Sequence, residues 1–431
     1  MRAALWLVAL FGVAVAVALL AGNNRAVVTV FWPPHRVDIS LNLLVLLLGG
    51  FFGLLHLALR ALVAVFSLPL QAQRWRAQQK ERAMYAALID ALAHLLAGRF
   101  IRAARSAENA LLQEKSLSEL ATKDKDAHHT GHHPGRARQL RALAHLLVAE
   151  SAESLQNTSL RDQHLQEALE SSSHRMAQET REGILMRAAR WALESRDGTA
   201  ALDWLKQLPQ GANRRTLALR LKLRATRQAR LTDQALETAR LLVKHRAFSP
   251  PAGQSMVRGL ALELINGAHD PGQLKQVWLL LDRAERAMPD VAVHAATHLM
   301  ALRGEAELAR EWLAPVWEQL AQPASEIDDK LRVKFVLALE AGLESVDALW
   351  LASIEKALQT RPRDAALQYL AGMACLKREL WGKAQQLLSH AVLALQDTGL
   401  KRNAWRALAE LAEQRGDEAA ANKAYRRAAE I

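Results

Sequence analysis

Cysteine is almost missing from this chain. A single Cys375 in 431 residues excludes an internal disulfide and any cysteine-rich metal or iron–sulfur site, and it suits a reducing compartment. Aromatic residues are scarce, at 5%, and only 12 prolines interrupt the chain. Ala, Leu, Arg and Glu dominate instead, the makeup of a helical protein. The chemistry-bearing motifs are absent too. No GxGxxG follows a strand, and there is no P-loop, no HExxH and no GxSxG. Carboxylate pairs such as Glu179 and Glu182 fall on ordinary helical faces and read as solvated. Gly49, Gly50 and Gly53 form a glycine-rich stretch, but inside an apolar run, where close helix packing suits them better than a phosphate. No catalytic residue and no cofactor site is expected.

Long apolar runs, by contrast, are present at one end. Two lie within the first sixty residues, at about 3–21 and 41–59, and neither contains a charged residue. Each approaches the roughly 20 residues needed to cross a hydrocarbon core, and an ion at mid-bilayer costs at least about 2.5 kcal/mol. They read as two transmembrane helices. A cleaved signal peptide over Met1 to Ala21 is the alternative, but Leu19 stands where a small residue is expected. Behind the second run come Arg60, Arg74, Arg76, Lys80 and Arg82 against one acid, Glu81. Such a cluster is retained on the cytoplasmic side, which puts both chain ends there and residues 23–40 across the membrane. In that loop Val27 to Trp32 favours extended chain, Pro33-Pro34 forces a turn, and Val37 to Ser40 alternates apolar and polar. It reads either as a small β-hairpin that meets a partner or as a tight interfacial connection with Trp32 at headgroup level.

The formal charge is +12. Without a nucleic-acid motif, this suits anionic lipid or a solvated Arg-rich surface rather than RNA or DNA. Residues 1–70 form the expected membrane anchor, 71–83 a basic linker, and 84–431 a helical solenoid of tetratricopeptide type. The repeat is clearest at the C-terminus. Trp405, Leu408, Ala409, Ala412, Gly416, Ala421, Tyr425 and Ala428 keep the signature spacing: small residues where two helices approach, large ones beside them, and glycine at the turn. Gly372, Trp381, Ala384, Leu388 and Ala391 repeat it. Another match runs through Met84, Ala91, Gly98, Phe100, Ala103 and Ala110. Weaker pairs fall near 182–208, 216–243 and 290–317. Stacked repeats of this kind bury their apolar faces on one another and leave a curved binding surface.

Two stretches break the pattern. Leu117 to Arg138 reads as an exposed loop, and Ser249-Pro250-Pro251-Ala252-Gly253 as a break between two halves of the array. The first contains His128, His129, His132 and His133, four imidazoles that could chelate zinc or cap a haem iron. Gly131 and Pro134 spoil a helical i, i+4 face and no acid or cysteine completes the set, so an incidental His-rich loop is the preferred reading. Cys375 sits within a repeat helix, where packing is expected rather than ligation.

The apolar pair, the loop carrying Val28, Trp32, Pro33, Pro34, Val37 and Ser40, and the repeat array together resemble the HemY family of Gram-negative inner-membrane proteins. The resemblance implies an all-α fold with a β-like hairpin between two spans, a bacterial inner-membrane location, and a link to a late step of protohaem synthesis. It does not imply the flavin-dependent protoporphyrinogen oxidase that shares the name, because the Rossmann fingerprint such an enzyme needs is missing. Two roles follow. One is a non-enzymatic scaffold that gathers late haem-pathway enzymes, or their tetrapyrrole product. The other is a general envelope or membrane-protein assembly factor with an indirect link to haem.

Overall fold

The computed structural model describes residues 2–22, 26–123, 134–321, 328–343 and 348–431. The chain divides into two compact units, Met1–Thr180 and Arg181–Ile431.

The first unit holds helix α1 (Arg2–Gly22), strands β1 (Val27–Trp32) and β2 (His35–Ser40), and helices α2 (Leu41–Leu96), α3 (Phe100–Lys123), α4 (Pro134–Ser154) and α5 (Thr158–Ser171). The strands pair antiparallel, Val27 opposite Ser40 and Trp32 opposite His35, with Pro33-Pro34 as the two-residue connection. Helix α2 spans 56 residues without a break, passing through Pro69 and through the linker expected at 71–83. Its C-terminal part packs on α3, and α4 closes over both. Alanines set between larger apolar side chains make the contacts: Ala91, Ala107 and Val148 meet in one cluster, and Met84, Ala87, Ala110 and Leu117 in another. Glu114 is buried beside them. The Arg141 guanidinium donates to both its oxygens at 2.7 and 2.9 Å, an arrangement that offsets the cost of burying the carboxylate.

The loop expected at Leu117 to Arg138 is shorter than the sequence suggests. Helix α3 continues to Lys123 because Leu117 extends the apolar face of Ala110, and Pro134 opens α4, where the first turn tolerates proline. Residues 124–133, which hold His128, His129, His132 and His133, lie outside the described residues.

Helix α6 (Gln178–Glu194) straddles the division. The second unit continues with α7 (Gly198–Lys206), α8 (Gln210–Asn213), α9 (Thr216–Gln228), α10 (Thr232–Lys244), α11 (Pro250–Asn266), α12 (Pro271–Leu280), α13 (Arg283–Arg286) and α14 (Pro289–Ala301). It ends with α15 (Ala306–Ala321), α16 (Asp329–Glu340), α17 (Ala348–Thr360), α18 (Ala365–Lys377), α19 (Trp381–Ala394), α20 (Thr398–Gln414) and α21 (Glu418–Ala429). The leading helices touch in succession, α11 with α14, α14 with α16, α16 with α18 and α18 with α20. The second helices bridge onward, α10 to α11, α15 to α16, α17 to α18 and α19 to α20. That is the contact pattern of stacked helix pairs, in which each repeat buries its apolar face on the next. One continuous core runs from Leu219 to Leu411.

The break expected at Ser249 to Gly253 is instead the start of α11, with proline in its first turn and Ser249 in extended conformation just before it. Glu182 also departs from expectation. Helix stacking buries it, and it forms an ion pair with Arg215 at 2.9 Å rather than facing solvent.

The turns inside the pairs share one design. Residues 196, 230, 303, 379 and 416 each adopt a left-handed φ between 57° and 74°. The next backbone N–H reaches back five residues, for example Leu231 to Thr226 O at 2.9 Å and Asp417 to Ala412 O at 3.0 Å. This is a Schellman closure, which satisfies the last carbonyls of one helix and reverses the chain. After two of these turns the next residue caps the following helix: Asp197 accepts from the Ala200 N–H and Asp417 from the Ala420 N–H.

Candidate membrane anchor and interaction surface

Among the described residues one stretch, Leu41–Val63, is long and apolar enough to cross a membrane. None of its side chains is buried and most are exposed, Leu46 at 72% and Leu54 at 71%. In water so continuous an apolar surface would be an aggregation liability, whereas in lipid it is satisfied. The first expected span, 3–21, does form a helix, α1, but several of its residues lie outside those whose side chains are described. The described residues thus hold one candidate span where two were expected. Ser40 caps the start of α2 by accepting from the Leu43 N–H at 3.3 Å, and the Leu41 N–H donates to Ala26 O at 3.0 Å, tying the hairpin base to the helix. At the hairpin tip Phe31 and Trp32 are largely exposed, with the Arg36 guanidinium 5.5 Å from the Phe31 ring. From Val63 helix α2 carries the chain about 30 Å to Met84, the first fully buried side chain among the described residues.

The repeat-signature residues occupy the last two helix pairs. Ala384 and Ala391 on α19 are fully buried. Gly372 on α18 lies so close to Leu388 that an added Cβ would stand 2.7 Å from its side chain. Ala409, Ala421 and Ala428 are buried in the final pair, and Gly416 makes its turn at φ 74°. Trp405 and Leu408 are half-buried against the core, while Tyr425 on the terminal helix is 39% exposed. Cys375 is fully buried, and burial pushes its thiol up from the ordinary value. Half-buried Glu340 on α16 lies near Tyr369 of α18 and Asn403 of α20. Burial raises the Glu340 carboxyl above its ordinary range, with Tyr369, Asn403 and Lys377 pulling the other way.

A cluster on α4 and α5 was not among the sequence expectations. His145, His164 and Glu167 converge there, their facing atoms all within 4.8 Å of one another. Burial lowers the pKa of His145, against the opposing pull of Glu167. The only sequence signal was the i, i+3 spacing of His164 and Glu167; His145 joins them through helix pairing, which no local pattern reports.

The fold and anchor define a helical-repeat protein carrying at least one membrane-type helix. Residues 27–131 match the family model described as the HemY protein N-terminus. No curated protein matches the chain. Among solved structures, it is similar to "Structure of Naa15/Naa10 bound to HypK-THB", at 13% identity and a TM-score of 0.25 over 78% of this chain. It spans 57% of that structure's chain. It is also similar to "Crystal Structure of P58(IPK) TPR Domain", at 13% identity and a TM-score of 0.22, over 77% of this chain and 99% of that one. At these scores neither says anything about what this chain binds, and the helix-pair architecture stands on its own contacts.

Proposed function

We propose that this protein is a non-enzymatic scaffold of the bacterial inner membrane that binds enzymes of late tetrapyrrole synthesis through its helical-repeat surface. In this reading α1 and the Leu41–Val63 stretch both span the bilayer, the hairpin faces the periplasm, and everything after Val63 lies in the cytoplasm. The observation that carries the proposal is the junction of a HemY N-terminal domain, the source of the haem link, to an array of stacked helix pairs. The basic cluster Arg74, Arg76, Lys80 and Arg82 on α2 supports the orientation, since such residues are held on the cytoplasmic side. Helix α2, continuous from span to first repeat, supports a fixed stand-off of the array from the membrane. No cofactor is assigned, and nucleic acid is not among the proposed partners.

Cross-linking and affinity capture from membranes tests the reading. Ferrochelatase or the oxidase upstream of it is expected among the captured proteins. Capture of unrelated envelope proteins alone would favour the general assembly factor. Reporter fusions test the topology: fusions at Asp38 and Ile431 are expected to respond oppositely, and a periplasm-active reporter at Ile431 would overturn it.

A further inference from the structure

We infer that His145, His164 and Glu167 form a binding site for one borderline divalent cation, zinc in the first instance, that pins α4 to α5. The geometry is that of three ligands around one point. The two Nδ1 atoms lie 2.9 Å apart, and Glu167 Oε2 lies 2.9 Å from His145 Nδ1 and 3.5 Å from His164 Nδ1. The centre of that triangle is about 1.8 Å from each corner, so an ion with zinc bonds of ~2.0–2.2 Å sits just off its plane.

Without an ion the arrangement is frustrated. Each Nδ1 presents either an N–H or a lone pair. If both carry protons, two N–H groups face each other at 2.9 Å. If either is bare, its lone pair faces the carboxylate oxygen. With Glu167 ionised, no placement of protons satisfies all three contacts, whereas a cation accepts a lone pair from every corner. Two imidazoles and a carboxylate are a recognised donor set for zinc and its first-row neighbours.

The surroundings fit the same reading. The two histidine side chains are 13% and 11% exposed, while Glu167 is 39% exposed, so the ion enters from the Glu167 side and keeps water there. Gln163 Nε2 donates to the other Glu167 oxygen at 3.3 Å, which leaves Oε2 for the ion. The Arg141 guanidinium on α4 is already engaged by both oxygens of Glu114.

The test titrates zinc into the detergent-solubilised full chain. Because His128, His129, His132 and His133 would compete, all four are replaced by Asn in every protein used. One equivalent is expected to bind at micromolar or tighter concentration, and the N-terminal unit should resist proteolysis better with it. Glu167→Gln keeps the volume and His164→Asn removes the imidazole, and each is expected to weaken binding by at least ~10-fold. X-ray absorption of the zinc-loaded protein needs no variant at the site and should show two imidazoles with oxygen. Binding weaker than ~0.1 mM, binding unchanged in His164→Asn, or a spectrum without two imidazoles overturns the proposal.

Discussion

Arg230 stands between α9 and α10 with a φ of 57°, a conformation that costs an L-residue about 1–2 kcal/mol. Its side chain is exposed. Arg230→Gly should therefore stabilise the second unit, by a net ~0.5–1 kcal/mol once the greater freedom of glycine in the unfolded chain is counted. Arg230→Ala keeps the penalty and serves as the control; urea unfolding that finds the two variants equal would contradict the account. Glu340 gives a pH signature. Because burial raises its pKa above the ordinary 4.5, the native state holds the proton to higher pH than the unfolded chain. Its contribution to stability is full below the unfolded value and falls as pH rises through the native one. Glu340→Gln should thus gain on the native sequence between pH 4 and pH 8, and a pH-independent difference in unfolding midpoint would contradict that.

At the scale of elements, aromatic contacts join neighbouring pairs in the middle of the second unit. Trp278 on α12 stacks on Trp312 of α15 at 4.5 Å, and Trp317 donates its indole N–H to Ser353 Oγ at 2.7 Å. Trp312→Ala should cost about 3–5 kcal/mol and loosen the array from its centre. The terminal pair has a neighbour on one side only. Ala421→Trp overpacks it, should cost about 1–3 kcal/mol, and should expose α20 and α21 to protease first. Unchanged C-terminal resistance would refute the placement of Ala421 at that contact.

These elements also show what a sequence can and cannot report. The pairs α6–α7, α9–α10 and α14–α15 were legible only as weaker pairs beside the C-terminal repeats, where small and large apolar residues recur at fixed spacing. The pair formed by α11 and α12 was missed because Pro250 and Pro251 read as a break, although proline fits a helix's first turn as well as it fits a loop. Turn residues were only half legible: Gly98 and Gly416 announce a left-handed turn, but Arg196, Arg230 and Arg303 adopt the same conformation with no local signal. The cluster of His145, His164 and Glu167 was illegible for a different reason, since it is made by two helices meeting rather than by spacing along one.

At the scale of the whole molecule the account rests on a tether. A hydrophobic tetrapyrrole passed between membrane-associated enzymes gains from proximity, because a tethered encounter raises effective concentration without any new contact. The most direct measurement is cellular haem and accumulated porphyrin in a strain whose only copy lacks residues 1–70. The account predicts a stable array that still captures its partner enzyme, with lowered haem and raised porphyrin precursor. Normal haem and no accumulated porphyrin in that strain would contradict it.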